Sequence, residues 1–160
     1  SDVCSSDLGV DSIAEAMRPV ERPESHAAFE AEAILRAVES FPAHQVLNHV
    51  SGATHAAAFV DAAGRIVALR EDVGRHNALD KLIGALFRDG MPTAHGFVVV
   101  SSRCSYEMVH KTAAAGIPAI VSVSAPTGLA VDLALRLGIG LAAFARDGRF
   151  TVYAGDKRFE

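Results

Sequence analysis

The sequence is poor in everything that would build a covalent scaffold: among 160 residues there is no tryptophan, and the only cysteines are Cys4 and Cys104. Two thiols are too few for a disulfide framework, and a thiol-poor domain of this kind reads as cytosolic. Any role for Cys4 or Cys104 is then chemical. Positive charge is also short, with 15 Lys and Arg against 19 Asp and Glu for a formal net charge of -4. Neutralising a phosphate backbone takes a basic face, so a general nucleic-acid surface is not expected. No apolar run reaches the roughly 18 to 20 residues that span a bilayer, and the first residues lack a basic segment followed by an apolar one. The expectation is a soluble cytoplasmic protein with neither membrane nor nucleic acid as a partner.

What is present is apolar patterning. Half of the residues are apolar, enough for one sizeable core. Ser1 to Leu8 shows no period, so residues 1–8 are expected to be a disordered tail ahead of a single domain over 9–160. Ser12 and Glu15 are spaced as a capping box and predict a short helix ended by Pro19. Ile34, Leu35 and Val38 predict an amphipathic helix between Phe29 and Phe41, interrupted by Pro42. From Val46 the period shortens, and His55–Val60 and Ile66–Leu69 read as a hairpin about Asp61-Ala-Ala-Gly64. Leu79, Leu82, Ile83, Leu86 and Phe87 form the clearest helical stripe.

Short β-branched runs at Phe97–Val100 and Ala119–Val123 then alternate with helical segments at Ser105–Ala115 and Thr127–Leu137, and Leu141–Phe144 and Phe150–Tyr153 close the chain as strands. The order ββαβαβαββ predicts an α/β fold with a mixed, mainly parallel sheet and helices on both faces.

In such sheets ligands sit beyond the carboxyl ends of the strands, where helix N-termini offer free N–H groups. Three junctions there are polar: Glu71-Asp-Val-Gly-Arg-His-Asn77, Ser101-Ser-Arg-Cys-Ser-Tyr-Glu107 and Ser124-Ala-Pro-Thr-Gly128. A fourth loop, Phe144-Ala-Arg-Asp-Gly-Arg149, is basic. In an acidic protein the placement of Arg75, Arg103, Arg146 and Arg149 suits an anion such as a nucleotide phosphate. Taken singly, Asp72, Ser101 and Thr127 read as helix caps, and an exposed turn explains Glu71 and Asp72 as well as an acid pair does. His76 is the histidine best placed for function, while Cys104 reads equally as a buried filler or as a nucleophile at a helix start. A zinc deaminase site needs His-x-Glu and Pro-Cys-x-x-Cys, whereas this chain has His76-Asn-Ala78 and Ser101-Ser-Arg-Cys-Ser105. No zinc is therefore expected.

Arg70-Glu-Asp-Val-Gly-Arg-His-Asn-Ala-Leu-Asp-Lys81 closely resembles the formate dehydrogenase accessory sulfurtransferases, the FdhD family. The resemblance continues through Thr54-His-Ala-Ala-Ala58, Ser101–Met108, Gly116-Ile-Pro118, Ser124–Thr127 and Phe144–Arg149, and so covers the chain from Gly9 onward, as a C-terminal part of the family. It implies a cytidine-deaminase-like fold and a cytoplasmic homodimer. It also implies a persulfide taken from a cysteine desulfurase and passed to the molybdenum bis(molybdopterin guanine dinucleotide) cofactor for formate dehydrogenase, with GDP as a mimic of that ligand. Phe144, Ala145, Arg146, Asp147, Gly148 and Arg149 match the segment that contacts the guanine dinucleotide. Arg75, His76, Ser101 and Arg103 are inferred as further pocket lining.

The chain departs from the family at its working end. The Cys-Gly-x-Cys-Gly motif, with Gly9 as its last glycine, would place cysteines at Ser5 and Leu8, where neither residue is a thiol. Cys4, one place out, is the candidate catalytic thiol, while the abrupt start of the resemblance at Gly9 implies that residues 1–8 are a foreign tail. Two readings follow: a sulfurtransferase, or a non-catalytic module that holds or escorts the guanine-dinucleotide cofactor. A deaminase-like hydrolase is a third.

Overall fold

The computed structural model describes residues 19–160. The expected tail over 1–8, the helix at Ser12–Met17 and Cys4 lie outside the described residues. Helix α1 spans Ala31–Ser40 and buries Ala33, Ile34 and Ala37. Pro42 then turns the chain into a 3-10 turn over Phe41–His44, because proline has no N–H to continue the helical ladder. A short helix, α2 (Val46–Ser51), follows and stops at Gly52, whose φ of 62° is the left-handed geometry that glycine adopts without a Cβ penalty.

The remaining elements are β1 (His55–Asp61), β2 (Ile66–Asp72), α3 (Arg75–Arg88), β3 (Gly96–Val100), α4 (Tyr106–Ala114), β4 (Ala119–Ser122), α5 (Gly128–Leu137), β5 (Gly140–Arg146) and β6 (Arg149–Ala154). They follow the predicted order. The hairpin closes where predicted, with the Gly64 N–H donating to Asp61 O at 3.0 Å.

The six strands form one sheet in the order β2-β1-β3-β4-β5-β6. Only β3–β4 and β4–β5 are parallel, whereas β2–β1, β1–β3 and β5–β6 are antiparallel. The sheet is therefore mixed and not mainly parallel. A helical crossover yields a parallel strand pair only when the strands it joins are neighbours in the sheet. Here β1 inserts between β2 and β3, so the α3 connection leads to a non-adjacent strand.

Alternate side chains of each strand point to opposite faces, and two apolar clusters result. Val98, Val100, Ile120 and Leu141 pack beneath α3, α4 and α5, together with Leu79, Leu82, Met108 and Leu133. Phe97, Val99, Val121 and Ala142 pack beneath α1, with Ile34, Ala37 and Phe41. Helices thus cover both faces, as expected. Among the described residues no helix is long and apolar enough to cross a membrane.

Candidate functional site

The strand registers bring every polar junction to one edge of the sheet. Asp72 at the end of β2 pairs with His55, Val100 at the end of β3 pairs with Ala57, and Arg146 at the end of β5 pairs with Arg149. At that edge, on the α1 face, lies a groove of about 470 Å³, within the range of small-ligand sites. One wall is Leu35, Val38 and Glu39 of α1 with Phe41, Pro42 and Gln45. The other is Ser101, Val123 and the segment Ala145–Gly148.

The 145–148 segment is shaped by a bulge. Register is lost between Ala143 and Arg146, and Phe144 and Asp147 hold positive φ angles of 52° and 54°. Non-glycine residues in that region store local strain, which concentrates at functional sites. The Phe144 N–H donates to Ser124 O at 3.1 Å, and its ring leans on Tyr153 at 6.4 Å. Ala145 turns into the α1-face core, while Arg146, Asp147 and Gly148 are exposed at the lip. Ser101 is not a helix cap. Its Oγ accepts the Ala56 N–H at 2.9 Å while its own N–H donates to Ala56 O, which ties the groove wall to β1.

The sequence places Arg75, His76, Ser101, Arg103 and Phe144–Arg149 around one pocket. The structure brings Ser101, Ala145, Arg146, Asp147 and Gly148 together in the groove. Phe144, Arg149, Arg103, Arg75 and His76 share the sheet edge but are not groove walls. Arg103 and Arg149 are exposed. Arg75 and His76 open α3, over the opposite face, next to the start of α4. There His76 Nε2 lies 3.5 Å from Ser105 Oγ and 4.0 Å from Glu107 Oε2.

Burial and the neighbouring Arg75 charge lower the His76 pKa, so the ring is neutral near pH 7. Burial opposes ionisation of Glu107, but its own backbone N–H, Ser105 and His76 hold the carboxyl below its ordinary value. Lys111 pairs with Asp80, and Lys81 with Asp72 at 3.2 Å. Arg75 Nε is buried without a hydrogen-bond partner.

Three single-residue expectations resolve plainly. Thr127 caps α5, its hydroxyl accepting the Ala130 N–H at 3.2 Å. Cys104 is fully buried, and burial pushes its pKa up to about 12, so it is a core filler without thiolate character at neutral pH. Glu71 is not an exposed turn residue. It is buried and accepts the Leu47 and Asn48 N–H groups, both at 2.8 Å, and the Thr54 hydroxyl at 3.0 Å. It is the distant cap of α2, which no local spacing reveals. Among the described residues no group of three or more His, Cys, Asp or Glu side chains could hold a metal ion.

The wall formed by α1 and the 3-10 turn escaped sequence reasoning. Its residues precede Ser101 by more than fifty positions and carry no motif. The FdhD/NarQ family model matches residues 2–160. The sulfur carrier protein FdhD of Bordetella parapertussis is 49% identical over 150 residues, covering 94% of this chain and 54% of that protein. The protein of the same name from Xanthomonas euvesicatoria is 50% identical over 129 residues, covering 81% of this chain and 46% of its own length. The chain thus spans about half the length of these relatives. The crystal structure of a formate dehydrogenase accessory protein from Desulfotalea psychrophila superposes with a TM-score of 0.81 at 28% identity, covering 88% of this chain and 60% of that one. With that fold and a family match over nearly its whole length, the chain belongs to the FdhD/NarQ family.

Proposed function

We propose that this chain is part of a sulfur carrier for formate dehydrogenase maturation, and that its α1-face groove holds the guanine-dinucleotide end of a molybdenum cofactor. The observation that carries the reading is the groove itself, whose lip is the strained Ala145–Gly148 segment with Arg146 at hand. The names of the relatives, sulfur carrier proteins and a formate dehydrogenase accessory protein, support the same role.

In this reading the apolar floor takes a planar base, and the Arg146 guanidinium and the Gly148 backbone meet phosphate oxygens. Arg149, Arg103, Arg75 and His76 share the edge but not the groove walls, and they are left for the portion of the cofactor that GDP lacks. The molybdenum centre, when bound, supplies the atom that receives sulfur. Sulfurtransferase activity, a homodimer in the cytoplasm and the cytidine-deaminase-like relationship belong to the same proposal.

Sulfur arrives when a carrier thiolate attacks the outer sulfur of a desulfurase persulfide, and the desulfurase cysteine leaves as its thiolate. Cys104 is too buried for that step, and Cys4, next to the position of the family's motif, is the candidate thiol for it. The same burial favours the second reading, a binder without sulfur chemistry, should Cys4 not load.

Incubation with a cysteine desulfurase and labelled cysteine separates the readings. Label on Cys4 supports transfer, whereas no label with retained GDP binding supports the binder. The Ser5→Cys, Leu8→Cys double variant is expected to raise loading, and unchanged labelling defeats that alignment. Absence of GDP binding in calorimetry would sink the groove assignment.

A further inference from the structure

We infer that Gln45 is the residue that reads the base edge of the ligand in the groove. The inference rests on the proposed nucleotide site and names its specificity determinant.

Gln45 sits between the 3-10 turn and α2, with φ -87° and ψ 70°. Its backbone is fully used: its N–H donates to Pro42 O and its carbonyl accepts the His49 N–H, both at 3.1 Å. A polar side chain at a helix N-cap normally turns back to accept the free N–H groups of the first turn. Here that role is taken, because the Glu71 carboxylate already holds the Leu47 and Asn48 N–H groups, and the Gln45 side chain makes no cap bond.

Gln45 is instead part of the groove wall, 7% exposed, on the same side as Phe41 and Pro42. Among the described residues its side-chain amide has no hydrogen-bond partner. Unpaired but not sealed from solvent, the amide is hydrated in the groove, and a ligand that displaces that water must supply its hydrogen bonds. A primary amide offers one donor face and one acceptor face side by side. A heterocyclic lactam edge, a carbonyl next to a ring N–H as in guanine, matches both in one plane. The Arg146 lip lies on the opposite wall, placed for the phosphates of the same molecule.

The test is calorimetric titration of the 160-residue chain with GDP, comparing wild type with Gln45→Met, Gln45→Leu and Arg146→Ala, alongside thermal melts without ligand. Both Gln45 variants are expected to bind GDP about tenfold more weakly with unlowered melting midpoints, because the amide has no partner to lose among the described residues. Wild-type GDP affinity in both Gln45 variants, with Arg146→Ala weakened, overturns this inference and leaves the nucleotide site standing. No GDP binding by wild type overturns both. Lowered midpoints in both Gln45 variants mean that the amide already has a partner inside the protein, which also overturns it.

Discussion

The two faces of the polar sheet edge differ in how their groups are used. On the α3–α4 face the side chains satisfy one another: His76 with Ser105 and Glu107, Lys111 with Asp80, Lys81 with Asp72. On the α1 face the groove has mostly apolar walls, and its Gln45 amide and Arg146 guanidinium have no partner among the described residues. Helix N-termini and arginines near strand ends are therefore not sufficient to locate a ligand. Unspent hydrogen-bonding capacity in a concave space is the better guide, although Arg75 Nε on the other face is also buried without a partner among the described residues.

The sharpest way to break this contrast is to remove charge from each face in turn. Arg146→Ala is expected to weaken GDP binding by about 10- to 100-fold in calorimetry, the range for losing charge-assisted hydrogen bonds. Arg75→Ala with His76→Ala is expected to change it by less than about twofold. The reverse ranking would move the site to the α3–α4 face.

Next in size is the support of the groove wall. Glu71→Leu leaves the Leu47 and Asn48 N–H groups unpaired, and urea unfolding is expected to show a loss of about 1 to 2 kcal/mol. The same carboxyl predicts a pH effect. Burial opposes its ionisation, but the two N–H groups and Thr54 outweigh that and hold it below its ordinary value. Its contribution is therefore fully present above the unfolded carboxylate value and is lost as pH falls through the lowered folded one. Glu71→Gln removes that part of the acid slope.

A smaller effect belongs to His76. Its pKa is depressed in the folded state, so the unfolded chain binds the extra proton first, and stability falls as pH drops below about 6.5. His76→Gln is expected to flatten that segment of the stability curve without altering GDP affinity. Last, Cys104 is expected to resist iodoacetamide at pH 8 in the native protein and to react in urea; fast native labelling would contradict its burial.

Much of this arrangement was legible before the structure, for identifiable reasons. Leu79, Leu82 and Leu86 are buried on one side of α3, so their periodicity named the helix. Phe87 continues the same apolar stripe but is exposed, because the contact with the sheet is narrower than the stripe. α2 has no signature in the sequence, because Val46, Leu47 and Val50 are exposed and its cap, Glu71, is a partner distant in sequence. Strand polarity at the edge was legible from strand-end chemistry, and it located Ser101 and the Ala145–Gly148 segment. Which face carries the groove was not, since that depends on where α1 and Gln45 pack, a long-range outcome that no local pattern encodes.

The most direct measurement is backbone amide chemical-shift mapping of the chain titrated with GDP. The account predicts saturable shifts at Gln45, Ser101, Val123 and residues 145–148, with residues 75–77 and 105–107 nearly still. Shifts confined to the starts of α3 and α4, with the groove residues unmoved, would contradict it.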